Sequence, residues 1–184
     1  NMLDAGVSII EESMMATEAF LKARSGWNAV INADAAIREA TALAEEMSKE
    51  NILASQAKGN EALAFLEEAQ QDFSQAEAAY LSLDLAAFKA YVAKRIESQQ
   101  AALAADEAYL SRNKEELEAQ NSRYNALEEE AAALAQELGE DDPEQIVALR
   151  FYKEIEADQG AYEAERLKAG NADAFLREYL GTAS

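Results

Sequence analysis

The sequence predicts an all-α protein, an elongated helical bundle of about five to seven antiparallel helices with coiled-coil-like packing. Three observations lead there. Ala, Leu, Glu, Gln, Lys and Arg dominate the 184 residues, and all lose little conformational freedom in a helix. Seven glycines and one proline are too few for a strand-rich chain, which needs turn residues at short intervals. Apolar residues also recur at alternating steps of three and four along most of the chain, the mark of helices that pack along a seam. The chain reads as one module over 1–184, with a candidate sub-division near 139–142.

The first seam is Leu3, Val7, Ile10, Met14, Thr17 and Leu21. Ser25-Gly26 interrupts it, and a second seam follows through Val30, Ala33, Ile37, Ala40, Ala44, Met47, Asn51 and Ala54. Gly26 predicts a kink or break between the two. Lys58-Gly59-Asn60 predicts a true boundary, with Gly59 in the left-handed position that closes a helix and Asn60 capping the next. The third seam, Ala62, Leu66, Ala69, Phe73, Ala76 and Tyr80, then loses phase and restarts at Leu85, Phe88 and Val92. That phase shift places a tight turn at Ser82–Asp84, with Asp84 as the cap.

Ile96, Leu103, Leu110, Leu117, Tyr124, Ala131 and Leu138 recur every seven residues. One helix over 85–138 would be about 80 Å long at 1.5 Å per residue. The tetrapeptide Ala-Tyr-Leu-Ser points the other way. It occurs at 79–82 and again at 108–111, each copy followed two residues later by a capping residue, Asp84 or Asn113. Asn113 with Glu116 resembles a capping box, which would make the segment a hairpin. The unbroken register, with no Gly or Pro at 112–113, favours the single helix.

Gly139-Glu-Asp-Asp-Pro143 is the strongest punctuation in the chain. Gly139 ends a helix, Asp142 caps the next, Pro143 takes its first position and Gln145 completes the box. The helix runs through Ala148, Phe151, Ile155 and Tyr162 to about Lys168, at 1.5 Å of rise per residue. Gly170-Asn171 marks another boundary before a short helix with Phe175, Leu176, Tyr179 and Leu180.

Thirty-six acidic against sixteen basic residues leave a net charge of −20. Phosphate contact rests on clustered cations, so nucleic acid is not an expected partner. The charge is expected first to give solubility and self-repulsion, and beyond that to suit a basic partner or weak cation binding. No apolar run approaches the roughly 20 residues of a membrane span. The chain has no Cys and no His. Disulfides, Ser-His-Asp and Cys-His nucleophiles, Glu-x-x-His di-metal sites and standard zinc sites all fall away with them. The adjacent glutamates, such as Glu45-Glu46 and Glu67-Glu68, read as solvated helix faces. A glycosidase needs two carboxylates across a cleft instead. Glu140-Asp141-Asp142 lacks the alternating ligands of a calcium loop. No cofactor, metal or catalytic residue is expected.

One feature resists a purely apolar core. Beside the seven-residue series, the complementary position reads Gln99, Asp106, Asn113 and Gln120, polar between Val92 and Leu127. The first expectation is that this side faces water, with at least two of the four exposed. Register control by a buried polar layer is the second. A polar groove for a ligand, with Tyr109 and Tyr124 as walls, is the third. Trp27 reads as a packing plug near a helix junction. The function expected is a non-enzymatic helical interaction or structural module with a protein partner, the alternative being a sensor-like bundle that binds a small ligand. The acidic, cysteine-free composition and the start at Asn1 rather than Met lean toward an extracytoplasmic or cell-surface bacterial protein.

Overall fold

A computed structural model describes residues 2–169 of the chain. They form five helices and no strand: α1 (Met2–Glu45), α2 (Lys49–Ala79), α3 (Ala86–Leu110), α4 (Lys114–Leu138) and α5 (Pro143–Ala169). The all-helical character is as the composition predicts. Gly170-Asn171 and the short helix expected after it lie outside the described residues.

α1 and α2 form the spine. On α1 the buried stripe is Ala16, Ala19, Ala23, Gly26, Val30, Ala33, Ile37 and Ala40, a strict alternation of threes and fours. The buried stripe of α2 is Ile52, Ser55, Gly59, Ala62, Leu66, Ala69, Phe73 and Ala76, continued by Tyr80 at its C-cap. Small side chains dominate both, which lets the axes approach toward the short end of the usual range. Glycine is needed where the approach is closest. A Cβ on Gly26 would stand 2.7 Å from Phe73 Cε1, and one on Gly59 would stand 2.8 Å from Leu103 Cδ2.

Those contacts correct two expected boundaries. Gly26 lies inside α1 and Gly59 inside α2, because each glycine makes room for a neighbouring side chain rather than turning the chain. The actual break falls at 46–48, inside what reads as the second seam. There the Ser48 side chain accepts from the Asn51 N–H at 3.2 Å, and Asn51 Nδ2 donates to Glu46 Oε2 at 2.7 Å. The first seam also needs correction. Ile10, Met14 and Leu21 are 61, 70 and 56 % exposed; the alanines on the opposite face are the ones that pack.

The turn at 82–84 is where the phase shift puts it. Asp84 Oδ1 accepts from the Ala86 N–H at 2.9 Å, while Glu77 receives the Leu85 N–H and the Lys89 ammonium. The single helix favoured over 85–138 does not form. The chain turns at 111–113, where Arg112 takes a positive φ of 55° and the Asn113 side chain accepts from the Glu116 N–H at 3.1 Å. Both copies of Ala-Tyr-Leu-Ser therefore end a helix. The turn folds a long apolar register back on itself, so that α3 and α4 cover each other.

At the last junction Gly139 closes α4 with φ 72°. Pro143 opens α5, and the Asp142 N–H donates to Gln145 Oε1 at 3.0 Å, the return half of the expected box. α5 lies against α1. Glu154 on α5 receives the Tyr80 hydroxyl at 2.5 Å, the Ser82 hydroxyl and Arg150 Nε at 3.1 Å. Burial raises the pKa of that carboxyl, but the two hydroxyls and Arg150 outweigh it and hold the group below the ordinary carboxylate range. Trp27 meets Phe88 edge-on at 5.7 Å and joins the core around Phe73, as a packing residue.

Candidate functional site

The α1–α2 turn and the α3–α4 turn lie at the same end of the bundle, tied by the Tyr109 hydroxyl donating to Met47 O at 2.7 Å. Between them opens a cleft of about 440 Å³. Tyr109, Leu110 and Leu117, with Ala108 behind, form its apolar wall. Lys49, Arg112, Asn113 and Lys114 line the rest. Lys49 and Lys114 are the first residues of α2 and α4, so two helix N-termini stand at the cleft. Their free N–H groups add partial positive charge. None of its lining residues is acidic, in a chain where acidic residues outnumber basic ones 36 to 16.

Of the six residues singled out from sequence, Tyr109 and Asn113 reach this cleft. The other four do not. Gln99 is 2 % exposed, with its Oε1 beside Gly59. Asp106 is half-buried between α2 and α3, its Oδ2 3.2 Å from Ser55 Oγ. Gln120 is half-buried on α4, where its Nε2 donates to Glu116 Oε1 at 2.8 Å. Only Asn113 of the four polar-run residues is exposed, which corrects the expectation that the run faces water. Ser55 and Gly59 on α2 explain the difference, since side chains that small leave space for Gln99 and Asp106. Burial raises the Asp106 pKa from 3.8 to about 6, against a smaller opposing effect of the Ser55 hydroxyl.

Tyr124 belongs to a second polar cluster, centred on Arg95. Arg95 Nη2 donates to Asp34 of α1 at 2.8 Å and Nη1 to Glu128 of α4 at 3.0 Å. Ser98, fully buried, donates to the other Glu128 oxygen at 2.6 Å. Burial raises the Asp34 carboxyl despite Arg95 and Arg38, and burial raises the Tyr91 and Tyr124 phenols beside it. Arg95 of α3 donates to one carboxylate on α1 and one on α4, which fixes how the three helices register.

Arg95, Lys49, Arg112 and Lys114 escape a reading by apolar periodicity. Arg112-Asn113-Lys114, two cations around a cap in a strongly acidic chain, is the legible trace of the cleft. Lys49 joins it only through the unpredicted turn at 46–48. Among the described residues no group of three or more acidic side chains is arranged to hold a metal ion, and no helix is long and apolar enough to cross a membrane. Comparison with known protein families, with curated proteins and with solved structures finds no match.

Proposed function

We propose that this chain is a non-enzymatic helical interaction module, an elongated bundle of antiparallel helices with coiled-coil-like packing, within an extracytoplasmic or cell-surface bacterial protein. One observation carries the reading. α1 is apolar on two opposite faces: the alanine stripe packs against α2, while Ile10, Met14 and Leu21 stand more than half exposed at helical spacing. Three large apolar side chains in line on an exposed helix suit the apolar face of a partner helix. The net charge of −20 favours a partner with cations flanking that face. The opposed pairs Ser25 with Asp72 and Ala40 with Ser55 support antiparallel packing of α1 and α2. Absence of His and Cys supports a binding role over catalysis.

Site-specific photo-crosslinking tests the reading. A photoreactive residue in place of Met14 is expected to yield one dominant protein adduct in the native host. The same residue in place of exposed Lys153 on α5 serves as the control. Equal labelling from both positions, or none from Met14, contradicts an interaction face on α1.

A second reading, a sensor-like bundle that takes a small ligand, is favoured by the tip cleft with Tyr109 and Asn113 in its walls. Its volume of about 440 Å³ lies within the range of small-molecule sites.

A further inference from the structure

The geometry points to the cleft at the α1–α2 and α3–α4 turns as a binding site for a small organic anion, a carboxylate or phosphate carried on a flat apolar body. This rests on the small-ligand reading and names the chemistry of its ligand.

The distribution of charge is the first argument. Several cations of the described residues are neutralised by nearby carboxylates. Lys58 pairs with Glu39 and Glu61, Lys89 with Glu77, Lys94 with Glu97 and Glu130, and Arg95 with Asp34 and Glu128. Lys49, Arg112 and Lys114 form no ion pair among the described residues, although acidic side chains are abundant. All three line one cleft together with no carboxylate. Two other clefts among the described residues include Glu67 or Glu68 in their walls. What sets the three apart from other unpaired cations is that they converge on one concave surface with no carboxylate in its lining, so an anion is welcomed there in a chain of net charge −20.

Shape and partner chemistry supply the second. The cations lie on the rim and are exposed, while half-buried Tyr109, Leu110 and Leu117 make an apolar wall. The Tyr109 hydroxyl is engaged with Met47 O, which holds the ring in place as a platform. A ligand that only carried charge would leave this wall unused; a flat ring bearing one anionic group would use both. The Asn113 amide Nδ2 remains available, because its Oδ1 is the atom that caps α4. The fork of Arg112 suits a planar or tetrahedral oxyanion, and Lys49 and Lys114 act as point charges on either side.

The cleft is open to solvent, so each charge contact is screened and the affinity is millimolar in scale. Titration of the isotopically labelled whole chain with phenyl phosphate, followed by amide chemical shifts, tests the site. Saturable shifts are expected at Lys49 and across Ala108–Leu117, weakening as salt is added. Benzoate should bind the same residues. Benzyl alcohol, of similar shape and no charge, should bind much more weakly. The double variant Arg112→Ala/Lys114→Ala should lower the affinity about tenfold, the loss of roughly 1.4 kcal/mol. Arg123→Ala, an exposed arginine of α4 outside the cleft, should leave it unchanged. Equal binding of benzyl alcohol would overturn the anion assignment while leaving a small-ligand site standing. Shifts scattered over the surface, an equal effect of Arg123→Ala, or no shift with any probe would overturn the site itself.

Discussion

Ser55 Oγ lies 3.2 Å from Asp106 Oδ2 and 3.0 Å from the carbonyl oxygen of Ala40. A hydroxyl carries one hydrogen, so with Asp106 ionised Ser55 can serve only one of these two acceptors. With Asp106 protonated the conflict disappears: Asp106 donates to Ser55, and Ser55 donates to Ala40. Three helices then share one complete chain of hydrogen bonds.

The first prediction is a pH dependence. Burial raises the Asp106 pKa from 3.8 to about 6, so the folded state holds the proton more tightly than the unfolded state. The stabilisation is fully present below pH 3.8 and is lost as pH rises through about 6. After discount for solvent screening, the loss amounts to about 1–2 kcal/mol. Urea unfolding of the wild type and of Asp106→Asn should give similar stabilities near pH 4. At pH 7.5 the variant should be the more stable, because its amide donates to Ser55 without ionising. A constant difference across that window would remove Asp106 from the pH response.

The two close-approach glycines should behave differently. Gly26→Ala drives a methyl to 2.7 Å from the Phe73 ring, which is fully buried and has little room to move. A loss of about 1–3 kcal/mol is expected, beyond what alanine's better helix propensity restores. Gly59→Ala meets Leu103 Cδ2 at 2.8 Å, the far end of a half-buried flexible side chain. There the propensity gain of about 1 kcal/mol should largely offset the clash. Thermal unfolding of the two variants checks the order, and a larger loss for Gly59→Ala would contradict this packing.

Arg95 holds Asp34 and Glu128 from two other helices. Arg95→Met should cost about 3 kcal/mol, because it leaves two half-buried carboxylates facing an apolar chain. Adding Asp34→Asn and Glu128→Gln should recover much of that loss. Denaturation midpoints of the single and triple variants settle the matter. A triple variant no more stable than Arg95→Met would mean that the arginine stem, rather than its charge, supports the fold.

Asn113→Ala removes the acceptor for the Glu116 N–H and should destabilise by about 0.5–2 kcal/mol. That is a cap's effect, not the neutrality expected of a side chain merely facing water. Asn113→Asp should retain most of the stability. Equal losses in both would place the side chain's role elsewhere.

The elements most legible in the sequence are those where large and small residues agree on one face. Ala62, Leu66, Ala69, Phe73, Ala76 and Tyr80 are all 2 % exposed or less. The phase loss after Tyr80 and the Gly139–Pro143 run each mark a real turn. α1 misleads because both faces are apolar. Periodicity weighted by side-chain size selects Ile10, Met14 and Leu21, whereas close packing against α2 selects alanine. Gly59 has the same ambiguity, since a glycine that admits a neighbour's side chain looks in sequence like one that ends a helix. The hairpin at 111–113 was written in the repeated Ala-Tyr-Leu-Ser, but an uninterrupted heptad series is equally compatible with a rod. Of the candidate groove, Tyr109 and Asn113 reach the cleft. Its cations could not be assigned before the turn at 46–48 brought Lys49 to them.

In the proposed function α1 uses one face for the fold and the other for a partner. A paired experiment separates the two faces: the variant Ile10→Ser/Met14→Gln/Leu21→Gln, with the photoreactive residue placed at neighbouring exposed Glu18. Thermal unfolding should match the wild type, since exposed substitutions rarely change stability by more than about 0.5 kcal/mol. The partner adduct should disappear. A fall in unfolding temperature of many degrees would show that the stripe belongs to the fold, and an undiminished adduct would show that the partner binds elsewhere; either result would contradict the two-faced helix.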